Sequence, residues 1–197
     1  MNGYFLLVFL LIYFVTAFAL PSYRVWKRTG TNPVVFRNAD TAHDYIGKLF
    51  KIVMAGITLV VIIYSFAPGV YLFLLPVEWL ENRIVQIVGI CLLVLSLGWT
   101  VLAQIQMGNS WRIGIDEEKQ TPLIQTGLFR RSRNPIFLGM ITTLIGVVLM
   151  IPNSLTLLFL VLGFVLIQIQ VRLEEEFLLK THSKNYADYS RTVRRWL

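Results

Sequence analysis

The chain has 197 residues, 56% of them hydrophobic and 15% charged, with a formal net charge of +7 at pH 7. So little charge excludes an ordinary soluble domain, in which about a quarter of residues are charged. The positive excess would suit a nucleic-acid partner only if it formed one patch, and its distribution along the chain excludes that.

Five runs lack any Lys, Arg, Asp, Glu or His: 3–20, 52–67, 84–106, 135–151 and 154–171. A helix needs roughly 20 residues to cross a bilayer core of about 30 Å. Four runs suffice with small extensions, and 135–151 is short but within range. The predicted fold is all-α, a polytopic membrane protein with five transmembrane helices. Spans without ionisable groups argue against a proton-coupled transporter or a voltage sensor.

The first run ends in Ala17-Phe18-Ala19, which resembles a signal-peptidase site. No basic residue precedes it, however, and Arg24, Lys27 and Arg28 follow, so the span is expected to be retained with the N-terminus outside. Residues 22–47 form the first cytoplasmic loop, and its turn-rich part, 29–47, is expected to be ordered on the membrane surface. Tyr71 and Trp79 fall in "VYLFLLPVEW" (70–79) as belt residues of the outer interface. Cys91 stands alone, and His43 and His182 lie far apart without a second ligand at helical spacing, so no metal site is expected. Only "IPNS" (151–154) separates the last two runs, which forces spans four and five into an antiparallel helical hairpin.

Charge then fixes the orientation. With the N-terminus outside, residues 21–51 hold six basic residues, 107–134 hold five and the C-terminal tail six, leaving only Arg83 of the 18 outside. That asymmetry is the positive-inside pattern, and it places the active face and the C-terminus in the cytoplasm.

Polar residues crowd that face in three stretches: "QIQMGNSWRIGIDEEKQTPLIQTGLF" (104–129), "RRSRNPIFLG" (130–139) and "QIQVRLEEEFLL" (168–179). The hairpin puts Asn134-Pro135 at the membrane level of residues 172–175. Asn134 and Pro135 suit the N-cap and first turn of a helix. Gln168, Arg172 and Glu175 share a helical face. Two readings fit that stripe: charges snorkelling at a helix end, and polar contacts for an amphiphilic substrate.

"TPLIQTGLFRRSRNPIFLGM", a span, "IPNS", another span and "RLEEEFLLKTHSKNYADY" together resemble the isoprenylcysteine carboxyl methyltransferase and phospholipid methyltransferase superfamily, over roughly residues 98–196. The resemblance implies an integral membrane enzyme that takes a methyl group from S-adenosylmethionine. Its core would span residues 84–197, comprising span three, a cofactor loop 107–134, the hairpin 135–171 and a cytoplasmic helical tail. Residues 1–83 would form a two-span N-terminal region. Carried over by motif, Thr121, Pro122, Leu123, Ile124, Phe129, Asn134, Pro135, Ile136 and Phe137 are implied to line the cofactor site. Glu174 is the implied acidic contact, with Glu175 its near competitor. The family's carboxylate-binding arginine falls by spacing on Gln170, leaving Arg172 as the available cation. Asn134 stands where the family has histidine, and Phe129 and Phe137 where it has tyrosines.

The expected acceptor is lipophilic and membrane-resident, an isoprenylcysteine-like carboxylate or lipidated substrate, with membrane lipids as surroundings. A carboxylate is already ionised and needs positioning rather than a base. Arg172 would hold it, and Phe129 and Phe137 would face the sulfonium or adenine. An amine acceptor would need a base, for which Glu175 is the candidate. A phospholipid or other small hydrophobic acceptor is the alternative, and a membrane scaffold or lipid-binding subunit the non-enzymatic one.

Overall fold

The structure, a computed structural model, describes residues 2–34, 41–114 and 121–197. The rest of the 29–47 loop and of the 107–134 segment lies outside the described residues. Among those described, regular structure is helical apart from two isolated bridges, Val34 with Ile113 and Pro76 with Asn153.

The first apolar run forms α1 (Asn2–Phe14), which passes through a π turn at Val15–Ala19 directly into α2 (Leu20–Thr29). Pro21 accounts for the irregularity. It has no N–H to give the carbonyl four residues back, and its ring presses on that carbonyl. That group is Ala17 O, which accepts instead from Gln104 Nε2 at 2.7 Å. The helix stops at Gly30, whose φ of 68° lies in the left-handed region that closes helices.

α3 (Ala42–Phe66) starts ten residues before the uncharged run, because Thr41 Oγ1 accepts from Asp44 N at 3.2 Å and caps it. The expected loop over 22–47 is thus corrected at both ends: 22–29 and 42–47 are helical. A short α4 (Pro68–Tyr71) and two 3-10 turns lead to α5 (Arg83–Met107), capped by Asn82. α6 (Pro135–Met150) and α7 (Ser154–Thr192) follow. Asn153 caps α7, its Oδ1 accepting from Leu155 N and Thr156 N at 3.0 Å each.

Among the described residues, four helical stretches are long and apolar enough to cross a membrane: Gly3–Thr29, Ala42–Phe66, Arg83–Ser110 and Ser154–Thr192. α6 has 16 residues, a length of about 24 Å at 1.5 Å per residue. The outer surface is strongly apolar, with Phe73, Ile84 and Leu95 among its exposed side chains. Such a surface requires lipid or a partner to cover it.

Between apolar helices in lipid, packing rests on small residues that let backbones approach. α5 and α6 meet in that way. A Cβ built on Gly146 would stand 2.8 Å from the Leu93 side chain, and one on Gly89 3.2 Å from Gly146 O. Farther along, Ser96 and Thr143 hydroxyls pair at 2.9 Å, and Trp99 Nε1 donates to Pro135 O at 2.9 Å. α7 runs past the membrane-spanning length and breaks at Ser183, where φ is 46° and ψ −115°. The break turns the chain back, so that Arg133 N donates to Arg194 O and Tyr189 Oη to Phe129 O.

Candidate active site

A cavity of about 490 Å³ opens where α1, α3, α5, α6 and α7 converge. That size lies within the range of small-molecule and cofactor sites. Phe14, Phe18, Phe50, Met54 and Met140 line it with apolar side chains, and Asn134, Gln170, Glu174 and Tyr186 with polar ones.

The 3-10 turn Gly127–Arg130 and the start of α6 build the polar wall. Gln106 Oε1 accepts from Leu128 N at 2.7 Å and ties that turn to α5. Gly127 has a φ of 62°, and a Cβ there would collide with the Gln106 amide. Gly127→Ala is therefore expected to destabilise the turn by about 1–2 kcal/mol from the left-handed backbone alone, with the clash adding to it. Thermal unfolding in detergent measures this, and a variant as stable as the parent would remove the constraint.

Glu175 ties the wall to the tail. Its carboxylate receives Asn134 Nδ2 at 3.0 Å and Arg195 Nη2 at 2.8 Å, and pairs with Arg133 Nη2 at 3.2 Å. Arg133 Nη1 also reaches Ser190 O at 3.0 Å. Glu175 is a structural hub rather than an open base, and it does not line the cavity.

Glu174, three residues past the uncharged run, does line it. Desolvation pushes its carboxyl up to about 7, against the lowering effect of a hydrogen bond from Gln170. That bond is 2.9 Å, from Gln170 Nε2 to Glu174 Oε1, and Gln170 Oε1 meets His43 Nδ1 at 3.2 Å. His43 is brought there by the capped first turn of α3. The Tyr186 hydroxyl is buried with no hydrogen-bond partner among the described residues. Burial, then the nearby Glu175 carboxylate, pushes its phenol up, so it stays neutral and able to donate.

Of the residues singled out in the sequence, Thr121, Pro122, Leu123 and Ile124 lie on the cavity wall, as do Phe129 and Asn134 to Phe137. Gln170 and Glu174 join them. Arg172 does not. It is exposed, and its Nη1 turns back to Gln168 O at 2.6 Å and Gln168 Oε1 at 3.0 Å. The reason is angular: at about 100° per residue, two positions separate Gln170 from Arg172 by more than half a turn. The face that meets the cavity is Gln170, Glu174 and Leu178, not Gln168 and Arg172. His43, Lys51, Arg112, Tyr186 and Tyr189 also line the cavity and were not singled out as site residues.

Residues 84–185 match the phospholipid methyltransferase family, and the chain belongs to that family. It is also similar to the protein-S-isoprenylcysteine O-methyltransferase of Saccharomyces cerevisiae, 26% identical over 117 residues, which cover 58% of this chain and 49% of the relative. The chain thus spans about half the length of the curated relative it matches.

Proposed function

We propose that this protein transfers a methyl group from S-adenosylmethionine to the carboxylate of a lipophilic, membrane-resident acceptor of the isoprenylcysteine type. Family membership supports methyl transfer, and the name of the yeast relative supports the acceptor. The observation that carries methyl transfer is that one cavity gathers Asn134 to Phe137, Gln170 and Glu174 with apolar side chains, and the choice of a carboxylate rests on the named activity of the yeast relative.

The polar side chains fit the cofactor. Glu174 has a hydrogen-bond partner on one oxygen only among the described residues, which leaves the other for an ammonium group. S-adenosylmethionine, when bound, supplies an electrophilic methyl on a sulfonium sulfur. Phe129 and Phe137 offer aromatic faces for a sulfonium or an adenine. Thr121 to Ile124 and Asn134 to Phe137 enclose the cofactor, with Gln170 orienting Glu174. Arg172 lies too far round the helix to hold the acceptor, and Arg133 is engaged by Glu175 and Ser190 O. Phe50 and Met54 keep water from the reacting carboxylate, which needs no base because it is ionised at neutral pH.

In this proposal five helices span the membrane, with α6 and α7 as a hairpin, the N-terminus outside and the cofactor site cytoplasmic. Residues 84–197 form the catalytic core, and 1–83 complete the acceptor side of the cavity. The test is methyl transfer from labelled S-adenosylmethionine to N-acetyl-S-farnesylcysteine in vesicles, followed by mild alkali. A methyl ester releases its label as volatile methanol. Label that withstands alkali and stays with lipid amine would point to N-methylation instead, the phospholipid alternative.

A further inference from the structure

The first turn of α3 brings to the cavity a side chain that the family-matched segment does not supply. His43 lies outside residues 84–185, which carry the match, yet it lines the same cavity as Gln170 and Glu174. Thr41 Oγ1 accepts from Asp44 N at 3.2 Å and so sets the turn that holds it. His43 Nδ1 meets Gln170 Oε1 at 3.2 Å, and Gln170 Nε2 donates to Glu174 Oε1 at 2.9 Å. Gln170 and Glu174 stand one turn apart on α7, and Gln170 is only 6% exposed.

The direction of each bond follows from the acceptor at the end of the chain. An ionised carboxylate only accepts, so the Gln170 amide turns its nitrogen toward Glu174. Its oxygen then faces His43 and needs a donor there. The imidazole therefore carries its proton on Nδ1, whatever partner Nε2 has. Without that donor, the amide loses the contact that decides which of its ends meets Glu174. A carbonyl turned toward the carboxylate would repel it.

This bond is not needed to dock the two helices. α3 and α7 approach closely at Gly56, where a Cβ would collide with the Phe159 ring. Val53, Ile57 and Val60 of α3 share one buried apolar core with Leu166 of α7. Beside such packing, the worth of the His43 contact lies in the amide it orients.

We propose that His43 is a positioning residue for the cofactor: its Nδ1–H holds the Gln170 amide so that the Glu174 carboxylate stays fixed for the cofactor's ammonium group. This rests on the methyl-transfer reading of the cavity and deepens it, because it makes the N-terminal helices part of the cofactor site. His43 touches Gln170 and acts on the cofactor through two hydrogen bonds.

Two measurements test this. The chain has two histidines, His43 and His182, so the nitrogen NMR spectrum of histidine-labelled protein in detergent separates the two rings, with His43→Asn assigning them. At about pH 8.5, where a free imidazole is neutral, His43 is expected to carry its proton on Nδ1 and to lose that preference in Gln170→Leu. A bare Nδ1 in the parent, or an unchanged tautomer in Gln170→Leu, overturns the proposal. The parent spectrum needs no variant, so misfolding cannot rescue it. The second measurement titrates S-adenosylmethionine into the parent, His43→Leu and His43→Asn. His43→Leu is expected to bind about three- to tenfold more weakly. Asparagine places an N–H near the former Nδ1, so His43→Asn is expected to bind close to the parent. An equal loss in both variants marks a packing role and overturns the proposal. A parent that binds no cofactor removes the methyl-transfer reading and this role with it. Binding that is indifferent to His43→Leu removes the role alone.

Discussion

Replacing Glu174 with glutamine is expected to lower kcat/KM for methyl transfer about 10- to 100-fold, the worth of a hydrogen bond to a charged partner. The variant keeps the side-chain shape and loses only the charge. The pH dependence carries the sharper signature. Desolvation raises this carboxyl to about 7, so below that pH the protonated form dominates. A cationic cofactor binds the ionised form. Affinity is therefore full above pH 7 and falls as pH drops through it, tending toward tenfold per unit. In Glu174→Gln that slope should be gone. If the variant keeps the parental slope, another group titrates and Glu174 is not the cofactor's anionic partner.

Removing Glu175 acts on a different property. Its carboxylate holds together Arg133, Asn134 and Arg195 from two separate parts of the chain, and its side chain is 12% exposed. Deleting one member of such a buried network leaves the others uncompensated, which costs about 3 kcal/mol. Glu175→Ala should therefore lower the unfolding temperature in detergent and open the tail beyond Ser183 to trypsin at Arg194 and Arg195. Stability and protection equal to the parent, with methyl transfer abolished, would return Glu175 to the role of catalytic base.

These two neighbours show how far the sequence could be read. The uncharged runs located the helices well, because burial in lipid demands apolar side chains whatever the tertiary packing. The run 84–106 became α5 (Arg83–Met107) and the run 135–151 became α6 (Pro135–Met150). Helix ends outside the apolar zone were harder. α3 begins at Ala42 in mixed polar sequence, and the available signal was Thr41 followed three residues later by Asp44, a capping pattern inside a stretch rich in turn formers.

The site followed the same division. The family resemblance implied Asn134, Pro135 and Glu174, all three of which line the cavity. Helical phase separated Glu174 from Arg172, and the sequence does not fix which face of a charged helix end turns inward. The Thr41 cap sets His43 in the first turn of α3, but its partner Gln170 lies 127 residues away in the chain. Tyr186 and Tyr189 reach the cavity only because the backbone breaks at Ser183, a residue with no local sequence signal for a left-handed φ.

The most direct measurement of the central claim is calorimetric titration of S-adenosylmethionine into the folded, detergent-purified protein at pH 6, in two buffers of different ionisation enthalpy. Saturable one-to-one binding, with a heat that differs between the buffers because Glu174 releases its proton, is the predicted result. A folded protein that gives no saturable heat would contradict it and leave the cavity without its cofactor.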